Sequence, residues 1–366
     1  MRLTRRIGML CRLGLYGVPV GIKSQNWAPY SKLAIHGDGA QWVLSEIATE
    51  LSNVCARLGI NVVDETISRI SKRQCVFHTS KYFLSPWKEK RDHRIAFSYF
   101  HGNPNIDAEF GPLIKSISQN HELISRVQVS NREMQNVILE TGVSKEKVFR
   151  IPISIDLEGF PLADSHTRAI ARKQLQLPTD AVVIGSFQKD GIGMRAGDKP
   201  KLIKGPDILL SVLEKLRQEI PELYVLLTGP ARGFVKSGLE KLMIPYRHVR
   251  LADYVEISKC FQSLDLYLIA SRDEGGPRGV LEAMATGIPL VSTRVGQAVD
   301  LVEHEKNGWL ADVGDVESLA HWARHVVEAR GSFKDVVANG RITAEQNCYE
   351  SQLPLWRDFM TGFVHF

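Results

Sequence analysis

Strand-length apolar runs that alternate with segments of helical spacing set the strongest limit on what this chain can fold into. The second half shows it best. AVVIGSF (181–187), LYVLLTG (223–229), DLYLIAS (265–271) and IPLVST (288–293) are separated by helical patterns such as DILLSVLEKLRQEI and GFVKSGLEKLM. In the first half KLAIH (32–36) leads into the helical WVLSEIATELSNVCARLG. RIAFSYFHG (94–102), RVQVS (126–130) and VFRIPIS (148–154) follow as strands, with NREMQNVILETG helical between the last two. This succession is the pattern of parallel α/β architecture, because parallel neighbours need a crossover and a helix supplies it.

A chain of 366 residues exceeds one ordinary core, so two domains are expected. The polar, proline-containing IDLEGFPLADS (155–165) reads as the hinge between them. A hydrophobic fraction of 44% with 24% charged residues is ordinary globular composition, and a net charge of +5 does not call for a nucleic-acid partner. The charge is unevenly placed: no acid precedes Asp38, whereas Arg2, Arg5, Arg6, Arg12, Lys23 and Lys32 do. The run IGMLCRLGLYGVPVGI (7–22) is broken by Arg12, Pro19 and four glycines and is too short to cross a bilayer. Residues 1–30 therefore read as a basic arm. It either lies on an anionic surface at the inner face of the plasma membrane or packs on the first domain. Five scattered cysteines point to reduced thiols and a cytoplasmic setting, against a disulfide framework or a zinc site.

The stretch SRDEGGPRGVLEAMATGIPLVSTRVG (271–296) asks for more than architecture. Glu274 and Glu282 are separated by seven residues, and five glycines surround them. Glu274 follows a strand's carboxyl end, where open α/β sheets place ligands. Pro277 suits the first turn of the next helix, and Gly287 suits a left-handed cap at its end. Two carboxylates so placed could accept hydroxyls from two parts of one polyhydroxylated ligand, while amides at the helix start suit anionic oxygens. The competing reading of Glu282 is a solvent-facing residue on an amphipathic helix. QKDGIGMRAGDKPKLIKG (188–205), rich in glycine and lysine, is an insert of the kind that serves a ligand. It lacks the ending of a phosphate-binding P-loop, and the chain has no HExxH, GxSxG or Asp-x-Asp.

The same stretch resembles the signature of family-4 glycosyltransferases, retaining enzymes of GT-B fold. Weaker matches follow the family's order: RIPISIDLEGF, AVVIGSFQKD, LIKGPDILL and NGWLADVGDVESLA. The resemblance is specific from about residue 126 to 320 and implies an α/β fold of two facing Rossmann-like domains with parallel sheets. The expected division is an acceptor domain over 31–160 and a donor domain over 161–344, with a helix in 345–366 crossing back to the first.

By the resemblance, Glu274 touches the transferred sugar and Glu282 the ribose. The segment Gly275, Gly276, Pro277, Arg278, Gly279 and Val280 lines the donor, with backbone amides of Gly275 to Gly279 reaching sugar and diphosphate. Lys189 and Lys204 take the family's two basic positions on the diphosphate, although Gln188-Lys189 stands where Gly-Arg is usual and the insert widens the spacing to Lys204. A lysine there keeps the charge and loses the bidentate fork. His101 faces the reacting carbon, and Asp38 and Gly39 form a loop against diphosphate and acceptor, with His36 and Trp42 packing beside it. The implied partners are a UDP- or GDP-linked sugar and a cell-envelope polysaccharide or lipid-linked glycan, with no cofactor and no metal. Two alternatives stay open: another GT-B activity such as an epimerase, or a non-catalytic nucleotide-sugar-binding subunit.

Overall fold

The computed structural model describes residues 28–36, 43–63, 74–79, 92–106, 108–193 and 195–366, with residues 43–46 described in their backbone only. Most of the basic arm (1–27), Asp38, Gly39 and Trp42 lie outside the described residues. The first sheet contains β1 (Leu33–His36), β2 (Val62–Val63), β3 (Cys75–His78), β4 (Arg94–Tyr99), β5 (Ile124–Val129) and β6 (Val148–Arg150). Its order is β2-β1-β3-β4-β5-β6, every neighbouring pair parallel. Helices α1 (Val43–Arg57), α2 (Gly111–Gln119) and α3 (Arg132–Leu139) accompany it. Asn131 caps α3, its side chain accepting from the Met134 amide at 2.9 Å.

After α4 (Ser165–Leu175) the second sheet begins with β7 (Val182–Ser186). Then come α5 (Pro206–Glu219), β8 (Leu223–Thr228), α6 (Gly233–Lys241), β9 (Tyr246–Val249), α7 (Ile257–Gln262) and β10 (Leu266–Ile269). The signature stretch supplies α8 (Gly279–Thr286) and β11 (Leu290–Thr293), and α9 (Ala298–Leu301), β12 (Trp309–Ala311) and α10 (Val316–Glu328) complete the unit. The order is β12-β11-β10-β7-β8-β9, again all parallel. Two cores explain the uninterrupted apolar runs. Val182, Ile184, Leu223, Val225, Leu266 and Leu268 face one core with α5 and α10, while Val183, Leu226, Tyr267 and Ile269 face the other with α7 and α8.

The chain ends with α11 (Lys334–Gln346) and α12 (Tyr349–Met360). Trp356, Phe359 and Phe363 enter a core with Leu33, Phe77 and Ala96 of the first sheet. The ring of Phe359 lies 5.7 Å from Phe77 and 5.1 Å from Phe149. Arg126 on β5 donates to the carbonyls of Phe359 and Thr361 at 3.2 and 3.0 Å, satisfying acceptors at the end of α12 with a cation where the helix dipole favours one.

VFRIPIS pairs over only three residues, and His101 lies two residues beyond the end of β4 rather than at the strand's last position. Pro277 precedes α8, with Arg278 as its N-cap, and is not in its first turn. Gly287 does cap α8 in the left-handed conformation, at φ 71°. Cys55, Cys75, Cys260 and Cys348 are buried and unpaired.

Phe359→Ala is expected to lower stability by about 3–5 kcal/mol, the usual cost of emptying a fully buried aromatic site. Urea denaturation measures it, and a much smaller loss would mean that α12 is not part of the first domain's core.

Candidate active site

In the second sheet, β7 and β10 are adjacent, yet the chain leaves β7 toward β8 on one side and β10 toward β11 on the other. Crossovers of opposite direction part the loops beyond these two strands and open a crevice at their carboxyl ends. Both loops are drawn into it. The amides of Arg272 and Asp273 donate to the Ile203 carbonyl at 2.8 and 3.1 Å. Arg272 grips Asp207 bidentately at 2.7 and 2.6 Å, and this hydrogen bonding holds the Asp207 carboxyl below its usual range. Gly205, at φ 61°, lets the insert turn into α5; a Cβ there would sit 1.8 Å from the Ala270 carbonyl oxygen.

This stitching sets Lys204 Nζ 2.5 Å from Glu274 Oε2, with 19% and 12% of the two side chains exposed. The Ser271 hydroxyl lies 2.9 Å from the other Glu274 oxygen, and the Gln188 amide donates to the Lys204 carbonyl at 2.6 Å. Two of the expected donor-site residues therefore meet at the crevice, held by Ser271 and Gln188, which the sequence reading did not single out. Ser271 had a signal: it ends an apolar run three residues before Glu274. Lys189 forms no ion pair with either glutamate among the described residues.

The glycines of the signature stretch answer to close packing. A Cβ on Gly275 would lie 2.1 Å from the Phe100 carbonyl oxygen, one on Gly276 would lie 2.5 Å from Ile153 Cδ1, and one on Gly279 would lie 2.5 Å from the Tyr267 ring. The Gly275 carbonyl accepts from Ser130 Oγ at 2.7 Å and from Asn131 Nδ2 at 2.6 Å. Nearby, the Ile153 amide donates to Gln297 Oε1 at 3.0 Å and the Arg132 amide to Asp300 Oδ2 at 2.7 Å. The loop after Glu274 is thus clasped by the first domain beside His101, whose half-buried ring meets Phe110 edge-on at 5.7 Å. His36 packs edge-on against His78 at 4.9 Å.

Glu282 has a different environment from Glu274. All of α8 is buried and Glu282 is 2% exposed, so the solvent-facing reading is excluded. The Tyr254 hydroxyl donates to Glu282 Oε1 at 2.5 Å, and Arg278 Nε lies 3.6 Å from the same oxygen. Burial raises the Glu282 carboxyl above its usual range; burial and the neighbouring carboxylate push the Tyr254 hydroxyl far up and keep it a donor. Val280 is buried in the core with α7.

The insert closes on a buried ion pair. Arg232 and Asp190 lie 3.0 Å apart with neither side chain exposed, and Arg232 also donates to the Ser186 and Thr228 carbonyls at 2.7 and 3.0 Å. Gly191 and Gly197 pack against Ala231, where a Cβ on either would come within 2.2 Å of backbone.

With this geometry established, comparison with known proteins shows what the chain is similar to. Residues 196–329 match the family model described as Glycosyl transferases group 1. A D-inositol 3-phosphate glycosyltransferase of Xylanimonas cellulosilytica is 28% identical over 204 residues, covering 52% of this chain and 45% of that protein. A sulfoquinovosyl transferase of Arabidopsis thaliana is 30% identical over 179 residues, covering 44% of this chain and 35% of that protein. The matches thus span less than half the length of these curated relatives. In fold, the Anabaena HepE crystal structure in complex with UDP and glucose superposes with a TM-score of 0.72 at 16% identity, covering 90% of this chain and 99% of that one. Residues 196–329 thus resemble the group 1 glycosyltransferases, and the chain shares the GT-B fold of its structural neighbour.

Glu282→Ala is expected to destabilise the fold by about 1–3 kcal/mol, because it leaves the enclosed Tyr254 hydroxyl without its acceptor. Glu282→Gln, which keeps an acceptor for the Tyr254 hydroxyl, is expected to cost clearly less. Chemical denaturation of both variants checks the order, and equal losses would mean that the acceptor is not what matters.

Proposed function

We propose that this chain is an enzyme that transfers a hexosyl unit from a UDP- or GDP-linked sugar to a hydroxyl acceptor, with retention of anomeric configuration and without a metal. The observation that carries this reading is the Lys204–Glu274 pair at the switch-point crevice. A cation and a carboxylate 2.5 Å apart suit the two ends of the bond to be broken. Lys204 offers donors to the leaving diphosphate, and Glu274 accepts from hydroxyls of the departing sugar. A charge already in place, partly shielded from water, stabilises the developing diphosphate without reorganisation. Retention then follows if the incoming hydroxyl attacks on the face the diphosphate leaves, with a diphosphate oxygen receiving its proton. His101, next to the loop clasped by Phe100, Ser130 and Asn131, stands on the sugar side of this arrangement. Glu282 serves the ribose, and Lys189 adds charge at the diphosphate.

The likeness to a fold that binds UDP and glucose in Anabaena supports a nucleotide-sugar donor. The proposed acceptor is a cell-envelope polysaccharide or a lipid-linked glycan, reached at the inner face of the plasma membrane. The basic residues before Asp38 would contribute attraction to anionic lipid there, about 1 kcal/mol each near the surface. No helix among the described residues is long and apolar enough to cross a membrane.

Lys204→Ala is expected to lower the kcat of sugar transfer by about 10²–10³, the range seen when one preorganised donor is removed. Steady-state turnover with UDP- and GDP-sugars measures it, and a variant turning over at the wild-type rate would remove Lys204 from the chemistry. Transfer is expected to survive excess EDTA, and NMR of the first product is expected to show the donor's own anomeric configuration. An inverted product would leave the fold assignment standing and sink the retaining mechanism.

A further inference from the structure

Arg278 is the N-cap residue of α8 in the second domain, and its hydrogen-bonded partner belongs to the first. Its Nη2 donates to Glu50 Oε1 of α1 at 2.9 Å. The two side chains are only 9% and 15% exposed, so this is a desolvated pair across the domain boundary, where geometry counts for more than at a surface. Beneath it the guanidinium carbon sits 5.1 Å from the centre of the Tyr254 ring, and Tyr254 in turn holds Glu282. Tyr349 at the start of α12 lies beside Glu50; burial first, and then the Glu50 charge, raises the pKa of the Tyr349 hydroxyl. One cation therefore stands between two carboxylates, one from each domain.

The distribution of its donors is uneven. Nε and Nη1 are buried without a hydrogen-bond partner, and Nε is 3.6 Å from Glu282 Oε1, outside hydrogen-bonding range. Unsatisfied buried donors are costly, and a guanidinium forks best onto a single carboxylate. Glu50 thus draws the guanidinium off Glu282. If the first domain withdraws, Glu50 goes with it, and Glu282 is the acceptor that remains within reach of Nε.

We propose that Arg278 is a positioning residue that couples nucleotide affinity to the approach of the two domains through its choice between Glu50 and Glu282. With the domains together, Glu50 holds Arg278 and Glu282 keeps lone pairs for the ribose hydroxyls. With the domains apart, Arg278 turns onto Glu282 and ribose must compete with it. By linkage, a nucleotide that needs Glu282 favours the closed arrangement by the same factor that closure favours the nucleotide. The inference rests on the nucleotide-sugar reading above, and it places an affinity determinant in the domain that does not hold the nucleotide.

The test uses the full chain, with UDP and GDP as probes in calorimetry and small-angle scattering without ligand. Glu50→Gln is expected to raise the Kd of the nucleotide that binds by about tenfold, within the usual range of coupling between sites. It is also expected to increase the ligand-free radius of gyration. In an Arg278→Met background the same Glu50→Gln change is expected to move the Kd by less than about twofold, the scatter of independent sites. An equal shift in both backgrounds overturns the proposal, as does a Glu50→Gln protein with wild-type affinity and wild-type scattering. If neither nucleotide binds the wild-type chain, the nucleotide-sugar reading falls. Scattering of Glu50→Gln, which does not depend on whether the Arg278→Met protein folds, separates the two failures. An unchanged profile overturns the domain latch itself, and an expanded one keeps the latch while its coupling to nucleotide falls with that reading.

Discussion

The contact on which the site depends is the clasp on the Gly275 carbonyl, which accepts from Ser130 and Asn131 of the opposite domain at 2.7 and 2.6 Å. It needs a residue without a side chain, because a Cβ on Gly275 would strike the Phe100 carbonyl oxygen at 2.1 Å. Glu274 is the residue before it, so the clasp fixes the backbone from which that carboxylate reaches Lys204. Asn131 has a second task as the cap of α3. One short turn of the first domain thereby orders its own helix and the neighbouring domain's loop after Glu274. The crevice opens within the second sheet, and the first domain holds the loop that bounds it.

The insert between Lys189 and Lys204 has the physics of a brace. Asp190 and Arg232 leave water together, a costly arrangement unless the guanidinium finds further acceptors, and the Ser186 and Thr228 carbonyls provide them. Arg232 thereby ties the ends of β7 and β8 to the base of the insert. The insert's far end delivers Lys204, so the added length between Lys189 and Lys204 is taken up in a folded loop. Lys189, near the root of that loop, is not carried to Glu274 with it.

The fold was legible where burial on both faces left unbroken apolar runs, as in β7, β8, β10 and β11. It was not legible in β2, β3 and β9. Val62–Val63 is two residues long, and Tyr246–Val249 is an edge strand in which no residue is fully buried, so composition carries little signal there. Cys75–His78 is fully buried but only four residues long and ends in a histidine. The pair Lys204–Glu274 was legible as two separate positions because each sits next to a strand end or helix start with a recognisable pattern. The partners of Glu282 were not. Tyr254 lies 28 residues from Glu282 within the same domain, and Glu50, the partner of Arg278, lies 228 residues away in the other; no local periodicity reports either contact.

Two glutamates in one short motif have opposite electrostatic settings, and the α/β architecture explains why. Glu274 follows β10 into the crevice, where the chain is bounded by loops; its carboxylate meets an ammonium on one oxygen and a serine hydroxyl on the other, with part of the side chain still exposed. Glu282 lies on α8, which is sandwiched between the second sheet's core and α11, so its carboxylate is enclosed and its charge is disfavoured by burial. A carboxylate in the first setting exchanges partners with little desolvation cost, because water and ligand hydroxyls replace each other there. In the second setting an incoming hydroxyl must displace a buried donor, and the result depends on where that donor can go. For Tyr254 the alternatives are few, since its hydroxyl is itself enclosed. For Arg278 the alternative is Glu50. The seven-residue spacing thus joins a readily exchanging carboxylate to one whose availability is set by a residue in the other domain.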